Sequence, residues 1–410
     1  MSPGELIPHL FRTEYRKIVS VLGRRFGFEH LEIAEDLTSE TFLTATQSWG
    51  LEGIPENPTA WLYRVAKNKA NNFLQRQKLF DTRIAGELRM SGGSAETEID
   101  LSPQNIIDSQ LQMMFAIGHP SLSQEAQIGL ALRILCGFGI EEIANAFLTS
   151  KETINKRLLR AKQKLREERI ETDVSNSQIE QRFETVLRTI YLLFNEGYYS
   201  ISQNSTLRRD LCLEAMRLCT MLIEYDLTNK GPANALLALM CFHFSRFDAR
   251  VSESGEIILY EDQDTSLWNT DLISKGGYFL KRAAGGNEVS KYHLEAAIAF
   301  WNTQKSDSKE KWESILQLYN HLLQLEYSPI TALNRTYALS KANGKLQALT
   351  EAEKLDLKEN QFYHTLLGEL YTGIDNAKAL TNLEKAVCLA NTPAAKKALQ
   401  KKADKIRAVT

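Results

Sequence analysis

Cysteine is scarce in this chain, with five among 410 residues. Cys136, Cys212, Cys219, Cys241 and Cys388 form no CxxC pair and no metal-ligand spacing, which argues against a disulfide framework or a zinc site. Apolar neighbours, as in LLALMCF and EAMRLCTML, fit buried thiols in a reducing cytoplasm. Proline is nearly as rare, at nine residues, and leaves room for long helices. No apolar run long enough to cross a membrane escapes interruption by charge. The first ten residues lack a charged start followed by an apolar core, so no secretory signal and a cytoplasmic location are expected. An excess of either charge is missing too: 49 Lys and Arg against 51 Asp and Glu give a net charge of -2. Contact with nucleic acid must therefore rest on local patches.

Such a patch is present. Residues 151–169 are strongly basic, whereas 87–108 are acidic. In GFGIEEIANAFLTSKETINKRLLRAKQKLR, residues 137–166, Gly139 can end one helix, and Ile140, Ile143, Ala144 and Phe147 stripe the next. Leu148, Thr149 and Ser150 then form a short turn, with Ser150 or Thr149 as N-cap of a helix running through Leu165. Ile154, Leu158 and Leu165 can face a core, while Lys151, Thr153, Asn155, Lys156, Arg157, Arg160 and Lys164 lie mostly on other faces. A short helix, a tight turn and a basic second helix suit a major groove. The same spacing also suits an ordinary helical hairpin with a solvated basic face.

Periodicity predicts an all-α protein in several blocks. Residues 1–78 hold three amphipathic helices, marked by Leu6, Leu10, Ile18, Val21 and Leu22, then Leu37, Phe42, Leu43 and Ala45, then Trp61, Leu62, Val65, Ala66, Phe73 and Leu74. A Gly- and Pro-punctuated loop over 49–58 separates the second from the third. Residues 79–108 read as a flexible, polar linker, 109–170 as the helix-turn-helix domain, and 172–178 as a further break. From 179 to 410 a large helical extension follows. Trp312, Ile315 and Tyr319 fit the first-helix frame of a tetratricopeptide repeat, and Leu367, Gly368 and Tyr371 fit its L-G-x2-Y segment, although no repeat is complete.

Two helices of the first block carry a second constellation. Glu35, Asp36 and Glu40 project acceptors suited to basic groups on a large partner, with Leu37, Phe42 and Leu43 on the other side of the helix. On the third helix Arg64, Lys67, Asn68, Asn71, Asn72 and Arg76 recur at three- and four-residue spacing, joining phosphate-binding cations to amides able to read base edges. Trp61 and Tyr63 could stack on unpaired bases, although Trp61 also suits a core anchor. The loop 50–57, ending at Asn57, is the expected wall of a pocket for an extruded base.

The segments AEDLTSETFLTATQSW and NPTAWLYRVAKNKANNFLQR resemble regions 2.2 and 2.3–2.4 of the extracytoplasmic-function sigma factors of bacterial RNA polymerase. The resemblance implies that the helix with Glu35, Asp36 and Glu40 docks on the clamp helices of the core polymerase. It implies that Asn57, Trp61, Arg64, Lys67, Asn68, Asn71, Asn72 and Arg76 meet the melted -10 element. EEIANAFLTSKETINKRLLRAK is similar to region 4 of that family, which binds the -35 duplex and meets the polymerase β flap. Lys156, Arg157, Arg160 and Lys164 would then hold phosphates, with Ser150, Lys151, Thr153 and Asn155 near the bases. Many members carry Asp where this chain has Asn72. The runs YLLFNEGYY, RRDLCLEAMRLC, LLALMCFHFSRFDAR and EDQDTSLWNTDLISKG resemble a subgroup with a long tetratricopeptide-like extension. That subgroup often has a Cys pair where Ile117 and Gly118 stand here.

The implied function is promoter-directed initiation without catalysis by this chain, and with no cofactor or metal. The extension is expected to act as a regulator that docks on regions 2 and 4 or takes a regulatory protein or peptide. Glu196, Asp210, Glu214, Arg246, Asp248, Arg250, Glu261, Asp262 and Asp264 form a polar set that could serve acid–base or metal chemistry, or simply fix helix packing through Arg–carboxylate pairs. A different class of reading is a helix-turn-helix transcriptional regulator with a ligand- or peptide-binding repeat domain. It has no use for AEDLTSETF and WLYRVAKN.

Overall fold

A computed structural model describes residues 3–84, 99–199, 205–250, 258, 260–286, 288–390 and 393–408. Among them lie eighteen α-helices and no strand, so the protein is all-α. No helix among the described residues is long and apolar enough to cross a membrane. The chain divides into two compact units, Met1–Asn229 and Lys230–Thr410.

The first unit is organised around α1 (Pro3–Phe26). Tyr15, Ile18, Val19 and Leu22 of this helix are fully buried, and each apolar side chain removed from water contributes roughly 1.5–3 kcal/mol before entropy is counted. Against α1 pack α2 (Leu31–Glu52), α3 (Pro58–Ile84) and α4 (Pro103–Ile117). The second helix outruns its expected end: Trp49 to Glu52 stay helical, and the turn begins at Gly53, whose φ of 89° suits glycine. Only residues 53–57 remain as the loop to α3. Leu43, expected on the apolar side of α2, is 57% exposed, because the buried stripe runs through Leu31, Ala34, Thr38, Phe42, Ala45 and Trp49. Of the expected linker, residues 79–84 continue α3 and Pro103 opens α4; residues 85–98 lie outside the described residues.

After α5 (Gln124–Leu130) the chain widens into a π-helical turn, Ala131–Leu135, in which Cys136 N–H donates to the Ala131 carbonyl at 3.1 Å. Gly137 follows at φ 76° and Gly139 then opens α6 (Ile140–Ala146), where the Glu142 carboxylate accepts the Gly139 N–H at 2.8 Å. The residue expected to end a helix thus begins one. Helix α7 (Lys151–Glu167) follows, and the break after it is firmly tied. Thr172 donates to the Arg24 carbonyl at 2.9 Å, and Val174 N–H donates to Gln112 Oε1 at 2.6 Å.

Two further helices belong to this unit, α8 (Asn176–Tyr199) and α9 (Ser205–Glu224), both from the segment expected to start the C-terminal extension. Arg182 of α8 donates to the Phe115 carbonyl at 3.1 Å, and Thr189 donates to Gln127 at 3.2 Å. The two helices approach closely at Gly197, where a Cβ would lie 2.6 Å from the Arg208 carbonyl oxygen and 2.8 Å from Cys212 Sγ. Gly197→Ala is accordingly expected to cost about 1–3 kcal/mol. A thermal melt reads this as a lowered Tm; an unchanged Tm would contradict the contact.

The second unit is a succession of helices, each packed on the next, from α10 (Gly231–Phe244) and α11 (Thr270–Ala283) to α12 (Lys291–Trp301) and α13 (Lys309–Leu325). It continues through α14 (Pro329–Asn343), α15 (Lys345–Glu353), α16 (Gln361–Tyr371), α17 (Asn376–Leu389) and α18 (Pro393–Arg407). Trp312 and Ile315 sit in the shared core with Leu367, Leu370 and Tyr371. Gly368 lets α16 and α17 meet, since a Cβ there would touch Leu383 at 2.7 Å. Four of the five cysteines are buried; Cys388, expected among them, is exposed on α17.

Candidate functional site

The first unit gathers a buried ionic cluster where α2 and α7 meet. Glu35 is only 7% exposed, because it lies on the same stripe as Leu31, Ala34 and Thr38. Arg133 Nε donates to its Oε1 at 2.9 Å, and Lys162 Nζ of α7 donates to its Oε2. The π-helical turn aims Arg133, which also donates to the Tyr15 hydroxyl at 3.0 Å and to the Phe138 carbonyl at 3.2 Å. Burial pushes the Tyr15 phenol up to about 12, against the pull of the Arg133 guanidinium. Two cations thus share one carboxylate out of water, where such a group is costly unless paired. Arg166 reaches Glu32 of α2 at 3.2 Å beside the cluster. Of the acidic trio, Asp36 and Glu40 are exposed, and Glu40 pairs with Lys69 of α3 at 3.2 Å. Glu35 is separated from them and faces inward.

Beyond this junction α7 turns its polar faces outward. Ser150 is the N-cap and accepts the Thr153 N–H at 3.2 Å. Leu148 takes the left-handed conformation in the preceding turn, at φ 49°. Ile154, Leu158 and Leu165 are buried, as their spacing predicts. Ser150, Lys151, Thr153, Asn155, Lys156, Arg160 and Lys164 are exposed, and Arg157 is half-buried against the Phe147 ring. Lys156, Arg160 and Lys164 form a ridge at four-residue spacing. Lys151 pairs with Glu141 at 2.9 Å, and Lys164 donates to the Ser121 carbonyl at 2.6 Å.

Along α3, Arg64, Asn68, Asn72 and Arg76 are exposed at every fourth residue, so one line on the surface carries two cations and two amides. Lys67 and Asn71 are half-buried beside it. Asn57 caps the helix, its Oδ1 accepting the Ala60 N–H at 3.0 Å. Trp61 is half-buried with its ring edge-on to Trp49 at 5.4 Å, so much of its surface anchors the fold. Tyr63 turns inward and donates to Glu14 at 2.6 Å; burial and that carboxylate raise its phenol pKa far above the ordinary value.

The sequence named Asp210 and Glu214 as possible packing carboxylates but not their partners, which lie on α1. Arg12 bridges Glu142 of α6, at 2.8 Å, and Asp210 of α9. One turn further on, Arg16 pairs with Glu214, which also takes Arg217 Nε at 2.8 Å. Arg217 donates in turn to the Leu135 carbonyl at 2.6 Å. Arg12 with Arg16, and Asp210 with Glu214, are each four residues apart, which puts both members on one helix face. These two acids of the polar set are therefore packing partners. Asp264 caps its own turn by accepting the Ser266 N–H at 2.8 Å, and burial raises the Glu196 carboxyl. The side chain of Glu261 lies outside the described residues. Among the described residues no three His, Cys, Asp or Glu side chains gather to hold a metal.

Comparison with known proteins places the chain. The sigma-70 region 2 family matches residues 10–80, which span α1 to α3. A family of unknown function, DUF6596, matches residues 182–284. Together with 26% identity over 166 residues to the RNA polymerase sigma factor YlaC of Bacillus subtilis, covering 40% of this chain and 93% of that one, the region 2 match supports an RNA polymerase sigma factor. The uncharacterized protein R00370 of Rhizobium meliloti is 32% identical over 370 residues, 88% of this chain and 87% of that one, and this chain belongs to the same family. No solved structure matches it.

Proposed function

We propose that the protein is a sigma factor of the extracytoplasmic-function type that brings core RNA polymerase to promoters and leaves catalysis to the polymerase. The reading is carried by one observation: the region 2 match falls on α1–α3, whose last helix presents Arg64, Asn68, Asn72 and Arg76 along one exposed line. In this reading residues 1–78 bind the clamp helices and the -10 element, 79–108 link, 109–170 bind the -35 element and the β flap, and 179–410 regulate as a tetratricopeptide-like extension. Asp36 and Glu40 face the polymerase. Trp61, Lys67, Asn71 and Asn57 border the melted strand, and the exposed ridges of α7 hold duplex phosphates.

The compact first unit is then a closed form. Elements numbered -10 and -35 stand some 25 base pairs apart, about 85 Å at ~3.4 Å per pair. A unit of the length of Met1–Asn229 has a radius of gyration of only about 17 Å. Engaging both elements requires α2 and α7 to part, which releases Glu35 from Lys162 and turns its carboxylate toward the basic groups of the polymerase. The α8–α9 pair, clamped on Arg12 and Arg16, is the part of the extension placed to hold this form shut.

Run-off transcription with core polymerase and genomic fragments tests the reading. The protein is expected to co-purify with core and to give discrete transcripts. Binding to duplex operator DNA without any association with core would favour the helix-turn-helix regulator instead.

A further inference from the structure

Arg246 and Trp268 belong to the segments FSRFDAR and EDQDTSLWN, whose residues the initiation reading does not use. In the second unit they meet Tyr260 and the turn before α13. The Arg246 guanidinium lies 5.4 Å from the Tyr260 ring centroid and 5.8 Å from that of Trp268. Lys311 Nζ stands 5.3 Å from the Tyr260 ring, and Lys305 Nζ 5.8 Å from the Trp268 ring. Three cations therefore surround two aromatic rings. Arg246 is 7% exposed and Lys311 1% exposed.

Among the described residues no carboxylate pairs with Arg246, Lys305 or Lys311. Asp307 is the nearest acid to Lys311 in electrostatic effect. It accepts the Trp312 indole N–H, lies 3.9 Å from Lys341, and is largely in solvent. Lys311 instead donates to the Tyr260 hydroxyl at 3.1 Å and the Gln304 carbonyl at 2.5 Å, while Lys305 donates to the Gln263 carbonyl at 2.6 Å. Burial holds the Lys311 ammonium below the usual lysine range, and Arg246 adds to the effect. Arg246 Nε, Trp268 Nε1 and Gln263 Oε1 are buried without a partner.

We propose that this cluster binds a phosphate group, with Arg246, Lys311, Lys305 and the Trp268 indole as donors. A buried guanidinium without a counter-charge is strongly unfavourable, and a planar fork of donors matches an oxyanion. An indole N–H and a lysine point charge complete a donor set of one sign. Gln263 Oε1, an acceptor in the same cluster, suits the proton that phosphate keeps near neutral pH and that sulfate lacks. The depth of Arg246 favours the free ion over a phosphate ester. An occupied site would tie the turn at 245–250, the turn at 260–268 and the segment 304–311 to one another.

Isothermal titration of the full chain with inorganic phosphate, at constant ionic strength, tests the proposal. Saturable binding at one site is expected, weakened at least tenfold in Arg246→Gln and several-fold in Lys305→Met, whose exposed side chain can be lost without harm to the fold. Sulfate is expected to bind more weakly and chloride not at all. Phosphate should raise the Tm of the natural chain and leave that of Arg246→Gln unmoved. A purely packing role for Arg246 would instead lower the Tm of the variant equally with and without phosphate, and would overturn the site. So would absent binding, or equal shifts from all three anions. Tighter binding of glycerol 3-phosphate than of inorganic phosphate would support the site and assign it to an ester.

Discussion

Glu35→Gln is expected to destabilise the first unit by about 3–5 kcal/mol, because it leaves Arg133 and Lys162 buried without their shared counter-charge. In a unit of this size that is a fall in Tm of roughly 10 °C. Lys162→Met makes the complementary case. Glu35 keeps Arg133, so the loss is smaller, about 2 kcal/mol. If the first unit opens as proposed, the whole of it falls on the closed form, and the ratio of open to closed molecules should rise roughly thirtyfold. Core polymerase should then bind Lys162→Met more tightly and Glu35→Gln less tightly, if Glu35 serves both as latch and as docking group. Hydrogen exchange across α2 and α7 reads the opening, and a titration with core reads the affinity. Equal affinities for the two variants would remove the latch.

Arg16→Glu should have an effect of similar size on the α8–α9 pair. The substitution places a carboxylate against Glu214 in a contact where both side chains are nearly buried. Loss of the pair together with the new repulsion is expected to cost about 3–5 kcal/mol. Limited proteolysis should then cut near residues 170–175 and within α9, sites protected in the natural chain by the contacts of Thr172, Val174 and Arg217. Adding Glu214→Lys should restore only part of the protection, since Arg217 stands beside the new cation. If transcription with core rises as the pair loosens, the extension restrains the factor. If it falls, α8 and α9 hold region 2 in its working shape.

Local chemistry announces itself in the sequence. Ile154, Leu158 and Leu165 as a buried stripe follow from spacing alone, as does the exposure of Lys151, Lys156, Arg160 and Lys164, and of the two expected N-caps it is Ser150 that caps α7. The paired charges were harder to see, yet they left a trace. Lys162 is four residues after Leu158 and three before Leu165, and Glu35 follows Ala34 and precedes Thr38 on the stripe of α2. A charged residue on an apolar stripe needs a partner, and helical phase distinguishes Lys162 from Lys164 where composition does not. The partner itself is beyond periodicity. Arg133 meets Glu35 across 98 positions of chain and Arg16 meets Glu214 across 198, and only packing brings such residues together. The placement of α8 and α9 in the first unit was hidden for the same reason, since residues 172–178 read as a break and are in fact bound to Arg24 and Gln112.

The π-helical turn at Ala131–Leu135 makes the length of the chain there as constrained as its chemistry. Its hydrogen bond spans one residue more than that of an α-helix, and that residue sets the bearing of Arg133 toward Glu35 and Tyr15. Removing a single apolar neighbour would relax the turn to an ordinary helix and swing the guanidinium by about 100°. Ala131, Leu132 and Ile134 can be exchanged for side chains of similar size, but the spacing between Leu130 and Gly137 cannot change without parting Arg133 from Glu35 of α2.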